Sequence, residues 1–159
     1  MNEKIRALFT GNKPATYLFM GDSITHGIVT QGYDNVPQMF AKYLDEMGRE
    51  DDVVLNTGVS NATIATTLDQ IEPRLTRYNP DVVMVMLGTN DVSYRGENNV
   101  NNGTASMGAI TVEQFKSRYK ELVRKIHENN ADTSIVLRIP CEMLVDEPHS
   151  GYEEKFNAI

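Results

Sequence analysis

Three short polar clusters carry the residue types that acyl transfer requires: Gly21-Asp22-Ser23, Asn56-Thr57-Gly58 and Gly88-Thr89-Asn90-Asp91. Attack on an acyl carbonyl needs a hydroxyl nucleophile, a base to take its proton, and donors aimed at the oxyanion of the tetrahedral intermediate. Ser23 can supply the first, and its own N–H, the N–H of Gly58 and the side-chain amide of Asn90 are candidates for the third. Each cluster follows an apolar run, so each stands where a strand would hand over to a loop. Taken singly, Gly-Asp-Ser is ordinary turn chemistry. The case rests on all three together.

The elements that must position these clusters alternate. Residues 17–20 read as a strand buried on both faces, and such a strand delivers its last residues to the ligand-binding edge of a parallel sheet. Val36, Met39, Phe40, Tyr43, Leu44 and Met47 recur at helical spacing, with Pro37 near the start and Gly48 at the end. A second strand, residues 53–56, runs into the second cluster. Ile64, Leu68, Ile71 and Leu75 mark a helix that Pro73 must kink or divide. Residues 82–87, apolar throughout, form the most strongly marked strand, and the third cluster follows directly. Because the carboxyl ends of parallel strands lie on one edge, this alternation brings the three clusters together.

The stretch 92–110 is Gly- and Asn-rich and reads as a long loop, either shaping a cleft or forming a surface insertion. Thr111 and Gln114 have capping-box spacing, and Phe115, Tyr119, Leu122, Val123 and Ile126 continue as a helix, with His127 near its C-terminus suiting the helix dipole. Residues 134–139 form a fourth strand stopped by Pro140. Ser150 and Glu153 open another helical pattern, in which Tyr152, Phe156 and Ile159 share a face, so the expectation is a chain cut within that helix.

Composition narrows the classes. A chain of 159 residues with 40% apolar content builds one sizeable core, and one domain over residues 1–159 is expected. With 15 basic and 22 acidic residues the net charge is −7, which argues against nucleic acid or an anionic membrane surface as partner. The single cysteine, Cys141, permits no internal disulfide. There is no membrane-span run and no signal-peptide apolar core at the N-terminus, so a native N-terminus would imply a cytoplasmic protein.

These clusters, in this order and spacing, resemble the blocks of the SGNH hydrolases, also called GDSL-like lipases and acylhydrolases. Gly21-Asp22-Ser23-Ile24-Thr25 resembles the first block, with Ser23 as nucleophile. Gly58 resembles the second block's oxyanion donor, and Asn90, in Gly88-Thr89-Asn90-Asp91, the third block's amide donor. The resemblance implies an α/β fold, a three-layer flavodoxin-like sandwich on a parallel sheet, here without its last strand. It implies hydrolysis of acyl esters with neither metal nor cofactor, and short acyl groups such as acetyl esters on carbohydrates are favoured as substrates. The family's base is the histidine of an Asp-x-x-His block after a fifth strand. Asp146-Glu-Pro-His149 has that spacing but follows the fourth strand, so the base is either His149 or a residue beyond 159, while His26 would line the substrate entrance. The uncovered sheet edge implies a missing C-terminal segment or a second copy of the chain. A non-catalytic module that binds a glycan or partner on the same edge is the alternative.

Overall fold

The computed structural model describes residues 3–28, 30, 32–92 and 110–139. Four strands, β1 (Thr16–Gly21), β2 (Val53–Asn56), β3 (Val82–Met86) and β4 (Ser134–Leu137), form an all-parallel sheet in the order β2-β1-β3-β4. The helices are α1 (Glu3–Thr10), α2 (Ser23–His26), α3 (Val36–Glu46), α4 (Ile64–Asp69), α5 (Ile71–Arg74), α6 (Thr89–Val92) and α7 (Val112–Asn129).

The two-residue period of the strands sorts their side chains onto two faces. Tyr17, Phe19 and Val82 pack with Leu8 and Phe9 of α1 and with Phe40 and Leu44 of α3. Leu18, Met20, Val83 and Val85 pack on the opposite face with Ile64 of α4 and with Phe115, Leu122 and Ile126 of α7. Helices therefore cover both faces, which gives the expected three-layer α/β sandwich and explains why β1 and β3 are apolar at successive positions.

Three details go beyond the sequence pattern. Helix α1, which lies ahead of the first expected strand, carries Ile5, Leu8 and Phe9 at helical spacing and is held by aromatic packing, with the Phe9 ring stacked 5.6 Å from that of Tyr17. The helix across Ile64 to Leu75 is divided, one of the two outcomes expected of Pro73, and the break falls at Gln70, three residues ahead of it. The proline ring would collide with the carbonyl four residues earlier, that of Asp69, so α4 ends there and α5 starts afresh. In α3, six apolar residues span too wide an arc for one contact face: Leu44 is buried, whereas Met39 is 60% and Tyr43 55% exposed, and Val36 and Met47 also face outward.

Strand order reverses between β1, whose next strand lies to one side, and β3, which lies to the other. Ligands of open parallel sheets bind beyond the carboxyl ends at such a point. The register aligns Gly21 at the end of β1 with Met86 at the end of β3, so the first and third polar clusters leave the sheet side by side. Gly21 is required by this closeness. A Cβ there would lie 2.0 Å from Thr25 Oγ1 and 2.8 Å from the Met86 carbonyl oxygen. Because the latter belongs to the sheet ladder and cannot retreat, Gly21→Ala is expected to cost about 3 kcal/mol in a urea unfolding titration. A loss below about 1 kcal/mol would mean the strand end yields more easily than its ladder implies.

Candidate active site

Helix α2 is a single turn with both ends fastened. Asp22 caps it, its carboxylate accepting from Ile24 N at 2.9 Å, and Gly27, in the left-handed conformation at φ 88°, closes it by donating to Ser23 O. Two asparagines catch the carbonyls that so short a helix leaves over: Asn56 Nδ2 donates to Thr25 O at 2.9 Å and Asn35 Nδ2 to His26 O at 3.0 Å. Ser23 is the first residue of this turn and is half-buried.

The third cluster is tied to its surroundings residue by residue. Thr89 favours the charged form of the Asp22 carboxyl. Asn90 Nδ2 donates to Ala62 O at 3.0 Å. Asp91, 2% exposed, accepts the N–H of Ile64 on both oxygens at 3.1 Å, fastening the start of α4. Tyr119 of α7 donates from its hydroxyl to Leu87 O at 2.7 Å and accepts from Leu87 N at 3.3 Å, completing the backbone pairing just beyond β3. The first and third clusters thus stand side by side on one edge, where Gly21 pairs with Met86.

Gly58 is buried against α2: a Cβ on it would lie 2.5 Å from His26 N. Its N–H donates to Asn56 Oδ1 at 3.0 Å, and its carbonyl lies 3.0 Å from His26 Nδ1. The requirement for glycine here follows from that close approach, and the N–H already has an acceptor. His26, although exposed, is held by the Gly58 carbonyl rather than by Ser23. Three residues after Gly58, Asn61 adopts a positive φ of 60°, next to the Ala62 carbonyl that Asn90 grips. His127 lies in the last turn of α7, which leads into the start of β4 and so falls at the opposite edge of the sheet. Asp146, His149 and Cys141 lie outside the described residues. Among the described residues no hydrogen bond reaches the Ser23 hydroxyl, and none contribute a cluster of side chains suited to a metal ion.

Burial sets the electrostatics. It pushes the Asp91 carboxyl up from the usual 3.8 to about 6, with the Ile64 N–H and the charge of Arg118 opposing. It raises Asp22 as well, against the Ile24 N–H, Thr89 and the charge of Arg74. A carboxyl raised in the fold binds its proton more tightly folded than unfolded, so its contribution is favourable at low pH and is lost as pH rises. For Asp91 the loss runs from about pH 4 to about pH 6 and amounts to about 3 kcal/mol. Asp91→Asn cannot ionise and keeps an acceptor for Ile64 N. Its stability relative to the native chain is therefore expected to improve by that amount between pH 4 and pH 7 in paired urea titrations. A difference that does not change with pH would contradict the assignment.

One residue of the site had no sequence signal. Arg74, 4% exposed, lies beneath the first two clusters and bonds Gly21 O and Thr57 O. In the sequence it is one more polar residue near a helix end. Its burial beneath the strand ends comes from where α5 docks in the fold.

Comparison with known proteins adds the following. A model of the GDSL-like Lipase/Acylhydrolase family matches residues 19–159. A Mycoplasma pneumoniae protein, described as uncharacterized, is 33% identical over 125 residues; these make up 77% of this chain, which spans only 13% of that relative's length. Among solved structures, an acetyl xylan esterase superposes with a TM-score of 0.69 at 23% identity, covering 91% of this chain and 70% of its own. A lipase/acylhydrolase from Enterococcus faecalis gives 0.67 at 22% identity, covering 91% and 68%. At these identities the structures establish the fold alone.

Proposed function

Because the chain belongs to the GDSL-like lipase/acylhydrolase family, we propose that it hydrolyses carboxylic esters through an acyl-enzyme formed on Ser23. The Ser23 oxygen attacks the acyl carbonyl while a base takes its proton. The oxyanion is held by the N–H of Ser23 and by the second N–H of the Asn90 amide, the first being given to Ala62 O. Collapse expels the alcohol, which leaves with that proton, and water then releases the acid by the same route. Gly58 joins as a third donor only by sharing the N–H that it gives to Asn56 Oδ1.

The observation that carries this reading is the register that pairs Gly21 with Met86, so that the first and third clusters leave the sheet side by side. Ser23 lies two residues beyond Gly21 and Asn90 four beyond Met86, so this pairing favours nucleophile and amide donor acting on one group. The base is assigned to the chain that follows β4, where Asp146 and His149 have the spacing for an oriented histidine. Acetyl esters on carbohydrates are the substrates we favour, in keeping with the likeness to an acetyl xylan esterase.

A binding role has one observation in its favour, since no base reaches the Ser23 hydroxyl among the described residues. Reaction with a fluorophosphonate separates the two readings. Labelling confined to Ser23 and abolished by Ser23→Ala is expected of the esterase. A folded chain that resists the reagent would favour the binding module.

A further inference from the structure

We propose that Arg74 is a positioning residue of the ester-cleaving site, locking the Ser23-bearing turn and the Gly58 peptide into one fixed relation from beneath the sheet edge. The inference rests on the reading of Ser23 as nucleophile. It starts from an unusual placement: a guanidinium only 4% exposed that enters no salt bridge among the described residues. Burying a cation without a carboxylate is costly, and burial lowers the pKa of Arg74 to about 10, with the charge of Asp22 opposing. Uncharged side chains would fill the same space at less cost.

The guanidinium is instead spent on backbone. Nε and Nη2 both donate to Thr57 O, at 3.2 and 3.0 Å, and Nη2 also reaches Gly21 O at 2.7 Å. The third corner is anchored by Nη1 donating to Thr67 Oγ1 at 2.7 Å, a side chain of α4 that is itself fully buried. A peptide group is planar, so gripping the Thr57 carbonyl at two points fixes the direction of the N–H on the other side of the same peptide, which is that of Gly58. A cation at the carbonyl end also polarises the peptide and makes that N–H a better donor. The Gly21 carbonyl belongs to the peptide that leads into Asp22, immediately before Ser23, and it accepts from Val59 N at 3.1 Å as well. One rigid fork therefore ties the exit of β1 to the exit of β2. Lysine, a point charge on a flexible stem, cannot grip both carbonyls in this way.

The test is Arg74→Lys and Thr67→Val in the full chain. Turnover of p-nitrophenyl acetate is measured per site titrated with a fluorophosphonate, so that unfolded molecules do not count. For Arg74→Lys the expected result is a fall in kcat of about ten- to a hundredfold with KM within about twofold, since misplacement of the order of an ångström costs this much. The amide signals of Asp22 and Gly58 in a two-dimensional nitrogen–proton spectrum should move with it. Thr67→Val keeps the cation and removes one anchor, and a kcat lowered about two- to fivefold is expected. If Arg74→Lys folds and turns over as fast per site as the native chain, Arg74 only packs the core and the inference fails. If Arg74→Lys does not fold, unchanged kcat in Thr67→Val overturns it equally. An unlabelled, inactive native chain overturns the Ser23 reading first and takes this inference with it, whereas an active native chain silenced by Ser23→Ala leaves Arg74 to be judged by its own variants.

Discussion

Ser23→Ala is expected to reduce turnover of p-nitrophenyl acetate by at least about a thousandfold, with the fold unchanged by circular dichroism. Loss of a nucleophile removes the covalent route altogether and leaves only what the oxyanion donors contribute over water. The expectation is specific to this serine because α2 is fastened independently of its hydroxyl. The cap is made by Asp22, the closing bond uses Ser23 O, and the leftover carbonyls of Thr25 and His26 are taken by Asn56 and Asn35. Removing Oγ therefore breaks no hydrogen bond among the described residues. Equal rates in the two proteins would reject Ser23 as nucleophile.

Asn90→Ala is expected to lower kcat by about 10²–10³, with little change in KM. Its amide would meet charge that develops only in the transition state, and an interaction made only there appears in turnover and not in binding. The variant also loses the bond from Nδ2 to Ala62 O, so a modest loss of stability should accompany it, of the order of 1 kcal/mol. The two contributions separate by temperature, because kcat measured well below the unfolding transition is insensitive to the second. If KM rises and kcat holds, Asn90 binds substrate without stabilising the oxyanion.

The alternation of apolar runs with helical periodicity determined the α/β class and the parallel sheet, since residues 17–20 and 82–87 are apolar at successive positions and only a sheet covered on both faces accepts such strands. The three polar clusters were legible for the same reason: each interrupts an apolar run, and the rule that parallel strands end on one edge does the rest. The sequence also sufficed for the cap of α7, where Thr111 and Gln114 form the reciprocal pair their spacing implies.

Tertiary structure alone decided what each polar group does at that edge. Nothing local distinguishes a glycine whose N–H is open from Gly58, which gives its N–H to Asn56 and lies against the backbone of His26. Local sequence does not reveal that Asp91 is buried enough to hold its proton to about pH 6 while fastening α4. It equally conceals Arg74, which reaches the carbonyls of Gly21 and Thr57 across 53 and 17 residues of chain. The physical reason is common to all three. Spacing along a strand or helix predicts which face a side chain takes, because that geometry is periodic. A hydrogen bond between two strand ends depends on where separate elements dock, and docking is set by the packing of Phe40, Leu44, Ile64 and Phe115 against the sheet, which no residue near the site encodes.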